Sequence, residues 1–241
     1  MKKLSKISCC ILLIVLQLSC KKDDNVALEY GTVTDIEGNV YKTVKIGDQE
    51  WMAENLKTHK LNDGTPIAYV TADATWADMN NLEPMMCYYD NDVDNHKDKY
   101  GALYNWYAVN TGKLAPVGWH VPTDADWEKL KDYLIANGYN YDGTTTGNKI
   151  AKSLAAKTVW VPDQEVGNVG NNQASNNKTG FNAPPAGYRT ETGSFVGFGN
   201  MAFYKSAGDS FNYWGIDKDS PSLSFSAILP NAGLAVRCVK D

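Results

Sequence analysis

Between Pro122 and Gly138 the sequence carries its one clear helical period, and the rest of the chain is written in a different texture. Thr123 stands where an N-cap belongs, acids follow at 124, 126 and 128, and Trp127, Leu130 and Leu134 recur on one face. Asp126 lies three residues after the cap, so a capping box is expected with Asp in the place of the usual Glu or Gln. A weaker helix is expected at 149–155 and a short polar one within 73–83. Elsewhere apolar and polar residues alternate over short runs. The runs 31–36 and 40–46 flank the turn residues Glu37, Gly38 and Asn39, and Gly47-Asp48 leads into 49–56, which predicts a β-meander. Short strands are also expected at 187–189, 193–199, 202–206 and 234–239. Period does not decide between helix and strand for the aromatic run 100–109. The Asn-, Gly- and Gln-rich stretch 163–182 reads as a long loop. Few helices, many short strands and long loops make an α+β fold.

The N-terminus is an address. Lys2, Lys3 and Lys6 precede the apolar run Ile11 to Leu16, which is far shorter than the about 20 residues that cross a bilayer. The segment therefore reads as an export signal. Leu18-Ser19-Cys20 resembles the bacterial lipobox, which implies cleavage after residue 19 and acyl chains on Cys20; the other reading is an ordinary secretory signal cut elsewhere. Lys21-Lys22-Asp23-Asp24 resembles the surface-export signal of some lipoproteins, and it is also what a solvated tether over 20–29 looks like. The expectation is a lipid-anchored protein of the outer membrane, displayed at the cell surface, with residues 30–241 as its domain.

Removal of residues 1–19 takes three lysines from the 23 basic residues and none of the 28 acids, leaving a net charge of −8. Such a surface repels nucleic acid and anionic headgroups, so membrane attachment would rest on the acyl chains. Of five cysteines, Cys87 and Cys238 remain once Cys20 is lipidated. In an oxidising envelope they either form a disulfide or stay as two separate buried thiols.

Several segments together resemble one family. Val40–Leu56, Tyr100–Val109, Gly118–Glu128, Phe181–Arg189 and Ala235–Asp241 look, in order, like the FISUMP domain, also called Fib_succ_major. Val121-Pro-Thr-Asp-Ala-Asp-Trp-Glu128 is also similar to a segment of formylglycine-generating enzymes. That second resemblance implies a C-type-lectin-like fold, with small twisted antiparallel sheets, about two helices and long loops.

The resemblance invites an enzyme, but the residues do not supply one. Formylglycine-generating enzymes hold copper with a nearby pair of cysteines, whereas Cys87 and Cys238 are 151 positions apart. His59, His96 and His120 form no His-x-x-x-His pair, and His120 beside the helix cap suits a role in holding that turn. No catalytic function and no resident cofactor is expected. Asp90, Asp92 and Asp94 fall at alternate positions, like the first half of a calcium loop, but Gly101 stands where a bidentate Glu is needed. They are a calcium site or a plain acidic surface loop. Tyr213 and Trp214 are either exposed rings that stack on sugars or core aromatics of a sheet. The function expected is binding of a glycan or of an envelope or host protein. The alternatives are a structural or adhesive envelope module, with loop 163–178 as its variable face, and a degenerate formylglycine-generating-type enzyme.

Overall fold

A meander opens the chain, as the alternation predicts. The computed structural model describes residues 28–208 and 210–241; the expected signal segment and Cys20 lie outside them. Strands β1 (Tyr30–Thr34), β2 (Val40–Ile46) and β3 (Gln49–Met52) pair antiparallel in sequence order. Asp35 closes the first turn, its Oδ1 accepting from the N–H groups of Glu37 at 2.9 Å and Asn39 at 3.0 Å. There follow β4 (Ala68–Tyr69), α1 (Asp73–Trp76), β5 (Met85–Cys87), α2 (Val93–Tyr100), β6 (Leu103–Tyr104), α3 (Trp106–Asn110) and β7 (Trp119–His120). After them come α4 (Asp124–Ala136) and α5 (Ala151–Leu154). The last third of the chain supplies β8 (Ala186–Arg189), β9 (Phe195–Phe198), β10 (Met201–Lys205), β11 (Asn212–Asp217), β12 (Ser224–Ala227) and β13 (Val239–Lys240).

Three sheets result, in the orders β1-β2-β3-β13-β7, β12-β11-β10-β8-β9 and β4-β5-β6. The α+β class holds, with two corrections. The described residues hold five helices rather than about two, although only α2 and α4 reach eight residues. The sheets are not purely antiparallel, because β4 pairs with β5 and β8 with β10 in parallel. The segment 73–83 is helical only to Trp76. Beyond it Asp78 and Asn81 bond to the N–H groups of Asn80 and Glu83, which turns the backbone out of the helix. The undecided run 100–109 is both strand and helix. Asn105 makes the switch: its buried Oδ1 accepts from Ala108 N as the α3 N-cap and from Met85 N on β5, each at 3.0 Å.

Helix α4 forms as predicted, with the Thr123–Asp126 capping box in place. His120 braces that turn: its Nε2 lies 3.2 Å from Asp126 Oδ2 and its Nδ1 2.7 Å from Asp241 Oδ1. The helix drives Trp127 between the two larger sheets. Its ring lies 4.8 Å from Trp51, 5.7 Å from Tyr204, 5.9 Å from Phe181 and 6.1 Å from Trp214. All five rings are buried, and they centre the largest core cluster.

The expected strand 234–239 shortens to β13 because its residues serve different sheets. Gly233 exchanges hydrogen bonds with Arg189 on β8 at 2.8 and 2.9 Å, and Leu234 exchanges them with Tyr104 on β6 at 2.8 and 3.1 Å. Ala235 donates to Phe203 O and accepts from Lys205 N on β10, and Val239 pairs with both Trp51 and His120. Eight residues thereby join all three sheets.

Long connections leave carbonyls without ladder partners, and buried cations collect them. Arg237 is wholly buried. Its Nε donates to Asn55 Oδ1 at 2.8 Å, Nη1 to Phe181 O, and Nη2 to Asn182 O at 2.9 Å. Its guanidinium also lies over the rings of Phe181, at 4.3 Å, and Tyr204, at 5.5 Å. Arg189 repeats the device. It donates to Val70 O at 2.7 Å, Thr71 O at 3.0 Å, Gly193 O at 2.9 Å and Asp73 Oδ1 at 2.6 Å, and it lies over Trp76 and Phe195. Lys152 donates to the carbonyls of Asn168, at 3.1 Å, and Asn171. Lys205 is the exception, a fully buried ammonium on β10 whose Nζ has no hydrogen-bond partner among the described residues.

Two outcomes follow. Arg237→Lys is expected to lower the unfolding free energy in a urea titration by on the order of 3 kcal/mol, because one ammonium cannot serve the separate acceptors of two segments in the geometry of the guanidinium fork. An unchanged midpoint would remove the guanidinium from its place in the fold. Burial pushes the Lys205 ammonium down to about 7, while the unfolded chain keeps the ordinary value of about 10.4. Between these values the unfolded chain holds a proton that the folded chain has released, so stability rises with pH across this window and the contribution is flat below it. Lys205→Met is expected to abolish that slope and to stabilise the fold at pH 7 by on the order of 4 kcal/mol. A mutant with the parent's pH profile would show that the amine finds a partner.

Candidate functional site

The surface feature with the most chemistry gathers around α2. Asp92 caps this helix, accepting from Asn95 N at 3.1 Å, and Gly101 ends it at φ 75. A Cβ at Gly101 would stand 2.5 Å from Asn55 Cβ and 2.8 Å from Leu56 O, so only glycine lets the helix end lie against the segment after β3. Asn55 fixes this approach by donating to Tyr100 O at 2.8 Å.

Beside that contact opens a cleft of about 240 Å³. Glu54, Asn55, Asp98, Lys99, Thr158 and Asn182 line it, and Arg237 lies beneath. Two wall residues, Val159 at φ 72 and Asn182 at φ 57, are left-handed. For a β-branched valine this conformation is strained, and strain of this kind concentrates where a loop is held in one shape for a purpose. Lys57 Nζ binds Asp98 at 2.7 Å and, with its hydrogen bond, holds that carboxyl below its usual range.

An aromatic cluster adjoins the cleft on the other side of α2. His96 and Tyr100, one turn apart, sit 5.6 Å from each other. Phe198 on β9 stands edge-on to both, at 5.1 and 4.8 Å, and Tyr89 lies 5.0 Å from Phe198. Phe198 keeps 36% of its surface exposed. The cluster joins the cleft wall through Val161 N, which donates to Gly199 O at 2.7 Å, and through Lys99 Nζ, 5.2 Å from the Tyr100 ring. Polar groups in a concavity beside a half-exposed ring suit an amphipathic ligand with hydroxyls and an apolar face.

The residues singled out from sequence fall elsewhere. Asp90, Asp92 and Asp94 take separate places: Asp90 sits in a single 3-10 turn, Asp92 is the α2 cap, and Asp94 is exposed in the helix's first turn. Among the described residues no group of three or more His, Cys, Asp or Glu side chains is placed to hold a metal ion. Trp214 is not a surface platform. It is 1% exposed, and its indole Nε1 lies 3.2 Å from Asp124 Oδ1. Tyr213 points to the opposite face of β11, half-buried against Phe203 at 4.7 Å, since neighbouring strand residues cannot share a face. The loop 163–178 is exposed at 164–166, 172, 174, 175 and 178 and anchored between them: Asn168 and Asn176 are buried, and Asn176 Nδ2 donates to Ala156 O and Val169 O.

The cysteine pair is unbonded. Cys87 on β5 packs with Trp76, Met85 and Leu103, whereas Cys238 packs with Met52, Tyr41 and Val236 in a different cluster. Of the two readings, separate buried thiols is the one realised.

Sequence reasoning missed Lys99, Phe198, Val159 and Asn182. Arg237 did carry a signal, a charge inside the apolar run Leu234–Val239, which marks a buried and bonded cation. A family model described as the Fibrobacter succinogenes major domain (Fib_succ_major) matches residues 44–240. No curated protein and no solved structure matches the chain.

The thiol assignment has a direct check. Burial pushes the Cys87 thiol up to about 12 and raises Cys238 as well, so neither should react with iodoacetamide at pH 8 in the native protein. After denaturation without reductant, peptide mapping is expected to find both alkylated; a linked peptide pair would restore the disulfide.

Proposed function

The chain belongs to the family of the Fibrobacter succinogenes major domain, and we propose that this member is a non-catalytic surface module that binds glycan at the cleft beside α2. Acyl chains on Cys20 hold it to the outer membrane, and the tether of 20–29 carries the domain at the cell surface. Its arrangement is a C-type-lectin-like one, adapted by long connections that cross between three small sheets. The fold's distant similarity to formylglycine-generating enzymes extends to the Thr123–Glu128 helix start and not to their metal chemistry.

The single observation that carries the reading is a polar cleft paired with the half-exposed Phe198 ring, whose neighbour Gly199 accepts at its carbonyl from Val161 N. Sugars offer hydroxyls to the first and C–H faces to the second, whereas a protein partner of ordinary size requires a broader surface. The strained Val159 supports it further, because it fixes the wall in one shape before a ligand arrives.

A glycan array probed with the full chain in detergent tests this. Binding to a defined set of sugars is expected, with a loss of roughly tenfold on Phe198→Ala and no dependence on calcium. Silence on the array from a protein shown to be folded would sink the glycan reading in favour of a protein-binding or structural envelope module.

A further inference from the structure

We infer that the edge of β12 pairs with β12 of a second copy of this chain, antiparallel about Ser226, so that the sheets of two molecules join into one. This interface is independent of the cleft beside α2.

The sheet β12-β11-β10-β8-β9 ends on β12. Ile228 N donates to Phe211 O at 2.9 Å, and Ser226 stands opposite Tyr213 in the same register. In an antiparallel ladder alternate residues turn both backbone groups to the same neighbour. Ser224, Ser226 and Ile228 therefore bond β11, and Leu223, Phe225 and Ala227 turn outward. Leu223 shows the alternation, since the side chain of Asn148 serves both its groups, the N–H at 3.1 Å and the C=O at 2.7 Å. Past Asn148 the edge is bare. Among the described residues no hydrogen bond outside the β11 ladder reaches Phe225 or Ala227, and both residues are exposed.

Edges of this kind are ordinarily guarded by a Lys, a Pro, a bulge or an inward-pointing charge. Here Pro221 and Pro230 stand outside the strand, and residues 220–236 carry no charged side chain. On a chain of net charge −5 this is a face that a second acidic copy can approach without repulsion. The open edge β1 is bracketed by Glu29 and Asp35 instead.

The strand is also complementary to itself. On a two-fold axis through Ser226, Phe225 of each copy meets Ala227 of the other, and each such pair exchanges both of its backbone bonds. Directly opposed residues share a face, so the Phe225 ring, 51% exposed and 4.9 Å from Trp214, covers the small Ala227 of the other copy. Ser226 meets itself at the axis, where the spacing is closest and a small side chain fits. The neighbouring registers fail. A slip of one residue sets outward groups against inward ones. A slip of two toward Leu223 runs into Asn148, and a slip of two the other way meets Leu229, whose C=O already accepts from Ala232 N at 3.0 Å.

Disulfide trapping of the full chain in detergent tests this register. A non-hydrogen-bonded pair holds its Cα atoms about 4.5 Å apart, within reach of a disulfide. Ser226→Cys should yield a dimer whose linkage maps by peptide analysis to position 226. Its rate should exceed by at least about tenfold that of Thr32→Cys on the exposed β1 edge, which reports chance encounters in a shared micelle. Ser226→Lys sets like charges face to face and should leave a monomer at about 0.5 mM, where the parent sediments toward twice its mass. Its urea midpoint should match the parent's, which separates lost pairing from lost folding. Linkage no faster than at Thr32, or a parent that stays monomeric at that concentration, overturns the proposal. Sedimentation of Ser226→Lys like a dimeric parent overturns it as well, by moving the interface elsewhere.

Discussion

Everything in this fold hangs on eight residues near the C-terminus. From Gly233 to Lys240 the backbone bonds in turn to β8, β6, β10, β3 and β7, so each of the three sheets is completed by the same short segment. Arg237 sits in its middle and reaches sideways to Asn55, Phe181 and Asn182, segments far from it in sequence. Contacts of such sequence separation form only after most of the chain is in place, which makes closure of the domain a late event in folding. The meander β1-β2-β3 and the capped α4 are the local parts that can form earlier.

Where ladder hydrogen bonding is sparse, side-chain donors take over part of the pairing of buried carbonyls. Arg189, Arg237 and Lys152 each gather two or more carbonyls from connections that would otherwise require water. Uncharged amides do the same on a smaller scale. Asn140 donates to carbonyls of Thr144, Thr146 and Gly147, and Asn231 to those of Trp76 and Asp78. Side-chain donors at fixed points thus replace regular structure, and they hold the cleft wall at Asn182 as firmly as a strand would.

How much of this was legible follows from the range of each interaction. The α4 cap, the meander and the class of the fold depend on neighbours within a few positions, and pattern reveals those. Asn105 shows the limit. Its run 100–109 has no single period because the residue ends a strand and begins a helix, with an acceptor shared between β5 and α3. Asn-rich composition in 163–182 gave the loop correctly but misled on its exposure, since the amides that mark a solvated loop are also those that satisfy a buried one. The cleft was invisible to pattern, because Glu54, Lys99, Thr158 and Asn182 come from four separate stretches brought together only by Arg237 and Gly101.

That division also says where such a surface can diversify. A residue whose side chain satisfies buried carbonyls cannot change without leaving them unpaired, at a cost of about 1–3 kcal/mol each; Asn168, Asn176 and Arg189 are fixed in this sense. Lys99, Thr158 and Phe198 bond to no part of the frame, although they stand directly on it. A different ligand can therefore be accommodated by exchange at these three positions while the backbone beneath them stays in place. Arg237 sets the one condition on that freedom: its acceptors are part of the closure of the domain, so the guanidinium beneath the cleft persists whatever the rim becomes. Shape and stacking are open to variation in this architecture, and the buried arginine beneath them is set by the fold.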